Sequence, residues 1–99
     1  MNKQELFEYI ASQEEFLNHI SDSVWDNPET CYSEKVSSEI ICKALEEQGF
    51  HVEKGIAGIP TAFTGTFGHG KPVIGFLGEF DALSGLSQVA GATEKIAIH

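Results

Sequence analysis

Over the first quarter of the chain, apolar residues recur at helical spacing. Leu6, Ile10, Leu17, Ile20 and Val24 form one stripe, and Phe7 and Phe16 widen it. This predicts one long amphipathic helix over residues 2–25, with Asn2 as its N-cap and Glu5 completing a capping box. Asp26-Asn27-Pro28 ends it, because proline disfavours helical backbone at the residue before it. Val36, Ile40, Ile41, Ala44 and Leu45 mark a second helix over residues 33–48. Glu34 suits the positive end of its dipole. Gly49 is the C′ stop, and Phe50 can fold back on the last turn. Beyond Gly49 the period shortens. Residues 50–54 alternate and predict a short edge strand, residues 55–60 a loop, and residues 61–67 a strand rich in Thr and Phe. Gly68-His69-Gly70 reads as a tight turn. Residues 73–77 then run apolar without alternation, as in a strand covered on both faces. The expected fold is α/β: two helices on a small mixed sheet of about three strands, with residues 61–77 as an antiparallel hairpin.

Gly78 lets the chain leave the sheet, and Glu79 and Asp81 follow. Residues two apart on an extended segment share a side. Both carboxylates would then sit at the C-terminal end of the strand, where open α/β sheets place their ligand sites. Alternatively they cap the next turn or face water, and the residues alone leave both readings open. Gly65-Thr66-Phe67-Gly68-His69-Gly70-Lys71 matches the first seven positions of a phosphate-binding loop. Pro72 stands where Ser or Thr should hold magnesium, and a strand rather than a helix is predicted to follow, so the stretch reads as a hairpin turn. After Leu83 the chain is small and polar, in the manner of an active-site rim. Residues 96–98 read as the start of another strand.

Charge and length narrow the partners. The 99 residues carry a net charge of −9, and all six basic residues are lysines. Such a surface repels phosphate backbones and anionic membranes, so neither nucleic acid nor membrane is an expected partner. Cys31 and Cys42 are too few for a disulfide framework, and Cys42 falls in an apolar helical pattern as a buried thiol. Lys3, Glu5 and Glu8 interrupt any signal-peptide core, and no apolar run approaches the ~20 residues that cross a bilayer. A cytoplasmic location is the expectation.

Gly78-Glu79-Phe80-Asp81-Ala82-Leu83, followed by Ser84-Gly85-Leu86-Ser87-Gln88, resembles the dinuclear metal amidohydrolases and peptidases (peptidase family M-twenty). The likeness extends through Asn27-Pro28-Glu29 with Glu34, Gln48-Gly49-Phe50, and Gly58-Ile59-Pro60-Thr61-Ala62-Phe63, nearly the whole chain in the family's order. It implies that residues 1–99 are the N-terminal part of a larger three-layer catalytic domain (phosphorylase/hydrolase-like), cut short by truncation or an interrupted gene. It also implies a metal-dependent hydrolase with zinc or manganese. The substrate would be a small-molecule amide, an N-acyl or N-aroyl amino acid such as aminobenzoyl-glutamate, and the parent would be a homo- or hetero-oligomer.

The family's peptidase branches end this strand in His-x-Asp and its aminoacylase-like branch in Asp-x-Asp. Here the pair is Glu79-x-Asp81. Asp81 carries over as the carboxylate of the motif, and Glu79 occupies the metal-ligand position with a residue of a different kind. The family's Cys-Gly-His motif, its Glu-Glu base pair and its later histidines have no counterpart here. Cys31, Cys42, His51, His69 and His99 lack ligand spacing. Glu29 and Glu34 fit helix capping better than a metal pair. The 99 residues alone are expected to be inactive, to hold no metal tightly and to self-associate. A rival reading is a non-catalytic α/β module that binds a partner through an open sheet edge.

Overall fold

The computed structural model describes residues 1–86, 91, 93 and 94. Helices α1 (Lys3–Ser12), α2 (Glu14–Asp26) and α3 (Lys35–Glu47) precede two strands, β1 (His51–Lys54) and β2 (Phe63–Thr66). The result is a small α/β piece with three helices rather than two.

The N-terminal cap forms as its residues dictate. Asn2 Oδ1 accepts the Glu5 N–H at 2.8 Å, and the Glu5 carboxylate takes a bond from the Asn2 side-chain amide at 3.0 Å. The single helix expected over residues 2–25 breaks at Gln13, whose φ and ψ are −96° and 5°. Ser12 supplies the cause. Its hydroxyl donates to the Tyr9 carbonyl at 2.6 Å, and Gln13 N–H turns to Ile10 instead, three residues back, at 3.0 Å. A side chain competing for a helix carbonyl tightens and ends the turn. α2 restarts with Leu17 N–H on Gln13.

α3 is the centre of the packing: α2, β1 and β2 all lie against it. Its Ser37 and Cys42 are buried, and Ile40, Ile41, Ala44 and Leu45 are half-buried along the predicted face. It ends in a Schellman motif. Gly49, at φ 91°, gives its N–H to Glu46, and Phe50 gives its N–H to Leu45. That geometry sends the chain back along the helix, so β1 starts already docked. Phe50 then meets Phe67 with ring centroids 5.2 Å apart.

β1 pairs antiparallel with β2, from His51 opposite Thr66 to Lys54 opposite Phe63. The loop between them closes where Gly55 and Ile56 both donate to the Ala62 carbonyl, at 2.9 and 3.3 Å. Gly65 permits close contact with α3, since a Cβ there would lie 3.0 Å from Leu45 Cδ1.

This pairing corrects the hairpin expected over residues 61–77. The partner of β2 is β1, and residues 73–77 form no strand. Val73, Phe76 and Leu77 are 86%, 95% and 96% exposed. The run needs cover on both faces, but the face of α3 is already taken by α2, β1 and β2. The strand expected over residues 96–98, and residues 87–90 and 92 of the expected rim loop, lie outside the described residues. Among the described residues no helix is long and apolar enough to cross a membrane.

Candidate functional site

Glu79 and Asp81 lie on a segment without regular secondary structure that is held at two points. Phe80 packs on Phe63 of β2, with ring centroids 5.7 Å apart and planes tilted by 37°. One residue after Asp81, Ala82 N–H donates to the Glu29 carbonyl at 2.7 Å. Burial follows the two-residue period: Phe80 and Ala82 are half-buried, Glu79 and Asp81 exposed. Both sequence-predicted carboxylates are therefore exposed on one short segment, next to the linker between α2 and α3.

Glu29, on that linker, caps α3 from outside the helix. Its carboxylate accepts Val36 N–H at 2.9 Å and Ser37 N–H at 2.7 Å. Partial burial raises its pKa, but the hydrogen bonds from Val36 and Ser37 outweigh this and hold it below the ordinary carboxylate value. Ser37 is fully buried, and its hydroxyl donates to the Asn27 carbonyl at 3.3 Å. Glu34 is the N-cap by position, yet its side chain makes no capping bond. Its Oε1 is buried without a hydrogen-bond partner among the described residues. Sequence reasoning assigned both glutamates to the helix end. It found the cap in Glu29 and missed the unpaired oxygen of Glu34, for which no local pattern gives a signal.

The thiols separate as expected. Cys42 is 1% exposed, and burial pushes its pKa up, which keeps it protonated and unreactive. Cys31 is exposed, and both thiols are free.

Glu79 and Asp81 are thus two exposed carboxylates on a segment held between a helix end and a sheet. On comparison with known proteins, the chain shows a likeness to a hydrolase subunit and to a carboxypeptidase. It is 43% identical over 100 aligned positions to one of the subunits of p-aminobenzoyl-glutamate hydrolase from Escherichia coli, an alignment that takes in 96% of this chain and 21% of that protein. It is 32% identical over 76 positions to thermostable carboxypeptidase 2 of Saccharolobus solfataricus, covering 75% of this chain and 19% of that protein. The chain thus spans about a fifth of the length of these relatives. No protein-family model matches it.

The family resemblance brings a metal centre into question. Among the described residues, no three His, Cys, Asp or Glu side chains gather closely enough to hold an ion. A zinc site takes three or four protein ligands. These residues do not make up a complete centre.

Proposed function

We propose that this chain forms the N-terminal part of the catalytic domain of a metal-dependent amidohydrolase. Its substrate class is the N-acyl or N-aroyl amino acid, with aminobenzoyl-glutamate as the model compound. The observation that carries this reading is 43% identity sustained over 96% of the chain, which includes Glu79 and Asp81. The Escherichia coli relative is named as one subunit of its hydrolase, which supports a hetero-oligomeric parent. Free Cys31 and Cys42 agree with a reducing cytoplasm.

Amide hydrolysis must polarise a carbonyl, activate water and protonate a leaving amine. Zinc or manganese, held mainly by residues outside this chain, would supply the first two. The contribution of this chain is the docked carboxylate pair. Asp81 is the negative group that orients ligands brought by the rest of the domain, and Glu79 stands beside it without a required ligand role. The 99 residues alone lack the remaining ligands and base and hydrolyse nothing.

The test is hydrolysis of aminobenzoyl-glutamate by the full-length hydrolase carrying this sequence, with and without chelator. Groups that support metal ligands typically cost about 10–100-fold in activity or metal affinity when removed. Asp81→Asn should lower turnover by that factor with an unchanged circular dichroism spectrum, and Glu79→Gln should cost less. Activity indifferent to the chelator, or an Asp81→Asn enzyme equal to wild type, rejects the assignment.

A second reading has one observation in its favour. Among the described residues the sheet has only two strands, so β1 and β2 each keep an unpaired edge that a partner strand could join. Substitutions at Asp81 would leave such binding unchanged.

A further inference from the structure

We infer that Glu29 is a positioning residue for the Glu79–Asp81 segment, linking the N-terminus of α3 to the backbone that carries the two carboxylates. Two observations on opposite sides of one residue carry this. The Glu29 carboxylate is fixed by Val36 N–H at 2.9 Å and Ser37 N–H at 2.7 Å. The Glu29 carbonyl, on the same residue, accepts Ala82 N–H at 2.7 Å, one residue beyond Asp81.

The carbonyl is held where it is because the side chain is anchored to a helix end whose first N–H groups have no intrahelical partner. α3 is the most buried element of the fold, with Ser37 and Cys42 both inside, so the anchor point is rigid. The Ser37 hydroxyl bond to the Asn27 carbonyl fixes the same linker a second time, two residues before Glu29. On the other side of Asp81, Phe80 rests on Phe63 of β2. Asp81 is therefore suspended between two supports, one aromatic contact and one hydrogen bond. Only the second depends on Glu29. A side chain that caps the start of a helix thus also sets the position of a carboxylate 52 positions further along the sequence.

What the carboxylates do once positioned rests on the hydrolase reading, but their positioning does not. The experiment accordingly reads position without turnover, in the 99-residue chain. Amide hydrogen exchange is measured by NMR at Ala82, with Cys42 as reporter of the fold, in wild type, Glu29→Ala and Glu29→Gln. Glu29→Ala should speed exchange at Ala82 by about two- to tenfold, the range a typical net hydrogen bond represents, while Cys42 keeps its protection. Glu29→Gln retains one acceptor oxygen and should restore part of the protection. A merely structural role would raise exchange at Val36 and Ser37 and leave Ala82 at the wild-type rate, which would overturn the proposal. Should Glu29→Ala lose the fold, Glu29→Gln decides by the same comparison. The wild type provides a check that needs no variant: a scalar coupling across the Ala82 N–H to Glu29 carbonyl bond supports the link, and its absence overturns it. A failed hydrolysis assay with an intact link would remove the enzyme reading and leave this inference standing.

Discussion

α3 and residues 73–77 make an instructive pair. The first mixes polar and apolar residues and holds the core. The second is apolar almost throughout and lies in water, with Phe76 95% exposed. A helix satisfies its own backbone groups and needs cover along one stripe, which α2, β1 and β2 supply to α3. A strand satisfies none of its backbone alone and needs a neighbour on its edges as well as cover on its faces. Hydrophobicity states what a segment requires, and topology decides whether the requirement is met.

The sharpest way to break this comparison is to place a charge in each region. Cys42→Asp puts a carboxylate at a 1%-exposed position. Lys54 acts on that site from a distance but is already engaged by Glu39. Burial of a charge without a close partner costs several kcal/mol, against a total stability of about 5–15 kcal/mol for a domain and less for so small a core. Thermal melts followed by circular dichroism should lose their cooperative transition. Phe76→Asp should leave the transition within about 0.5 kcal/mol of wild type, as surface substitutions do. If Phe76→Asp also abolishes the melt, residues 73–77 are packed and the contrast with α3 is wrong.

A smaller effect concerns assembly. Val73, Ile74, Phe76 and Leu77 expose a contiguous run of apolar side chains, and Tyr9, Ile10, Leu17 and Phe67 border an open groove of about 380 Å³ elsewhere on the surface. Exposed apolar surface left in water costs about 25 cal/mol per Å², and association recovers part of it. Sedimentation velocity should show the chain heavier than a monomer at micromolar concentration. Phe76→Asp should shift it toward monomer if residues 73–77 form the contact. A wild type that remains monomeric on concentration would show that the exposed run is tolerated as it stands.

Much of this architecture was legible from residue pattern, and the losses have physical causes. α3 was readable because three signals coincide: the apolar stripe, Gly49 at a left-handed position, and Phe50 returning onto the last turn. The break at Gln13 was hidden because the stripe continues through it, and Ser12 acts through a hydrogen bond that leaves no periodic trace. The partner of β2 was misassigned because the short Gly68 turn made residues 73–77 the nearer choice along the chain. The Schellman motif had already fixed β1 against α3, and that long-range constraint won. At the site, exposed Glu79 and Asp81 alternate with half-buried Phe80 and Ala82, a two-residue period of exposure. The Glu29 carbonyl that holds the segment could not be read, since any residue has a carbonyl.

Acid should act on the cap at the start of α3. Hydrogen bonds from Val36 and Ser37 hold the Glu29 pKa below 4.5 despite the opposing effect of burial. In the unfolded chain Glu29 regains the ordinary value, so on acidification the unfolded state takes up its proton first. The stabilisation is complete above the unfolded pKa and is lost as pH falls through the folded one. Melting temperature should drop below pH 4.5, and Glu29→Ala, already weakened at pH 7 by about 1 kcal/mol for the lost cap, should drop less over the same interval. Parallel curves for the two proteins would remove Glu29 from the acid response.

The smallest effect belongs to an ion pair that joins α3 to β1. Lys54 Nζ lies 2.8 Å from Glu39 Oε1, and the hydrogen bond from Lys54 to Glu39 raises the lysine pKa. Both side chains are largely in water, at 48% and 66% exposure. Solvent screens such a pair and side-chain entropy opposes it. The docking of the hairpin on α3 rests instead on Phe50 against Phe67, on the approach of Leu45 to Gly65, and on the backbone bonds of the Schellman motif. Lys54→Met should therefore move the melting temperature less than Glu29→Ala does, and raising the salt concentration should change wild type and variant alike. Gly65→Val, which drives a branched side chain against Leu45, should cost far more than either. A Lys54→Met chain that melts lower than Gly65→Val would reverse this ranking and make charge rather than close packing the link between hairpin and helix.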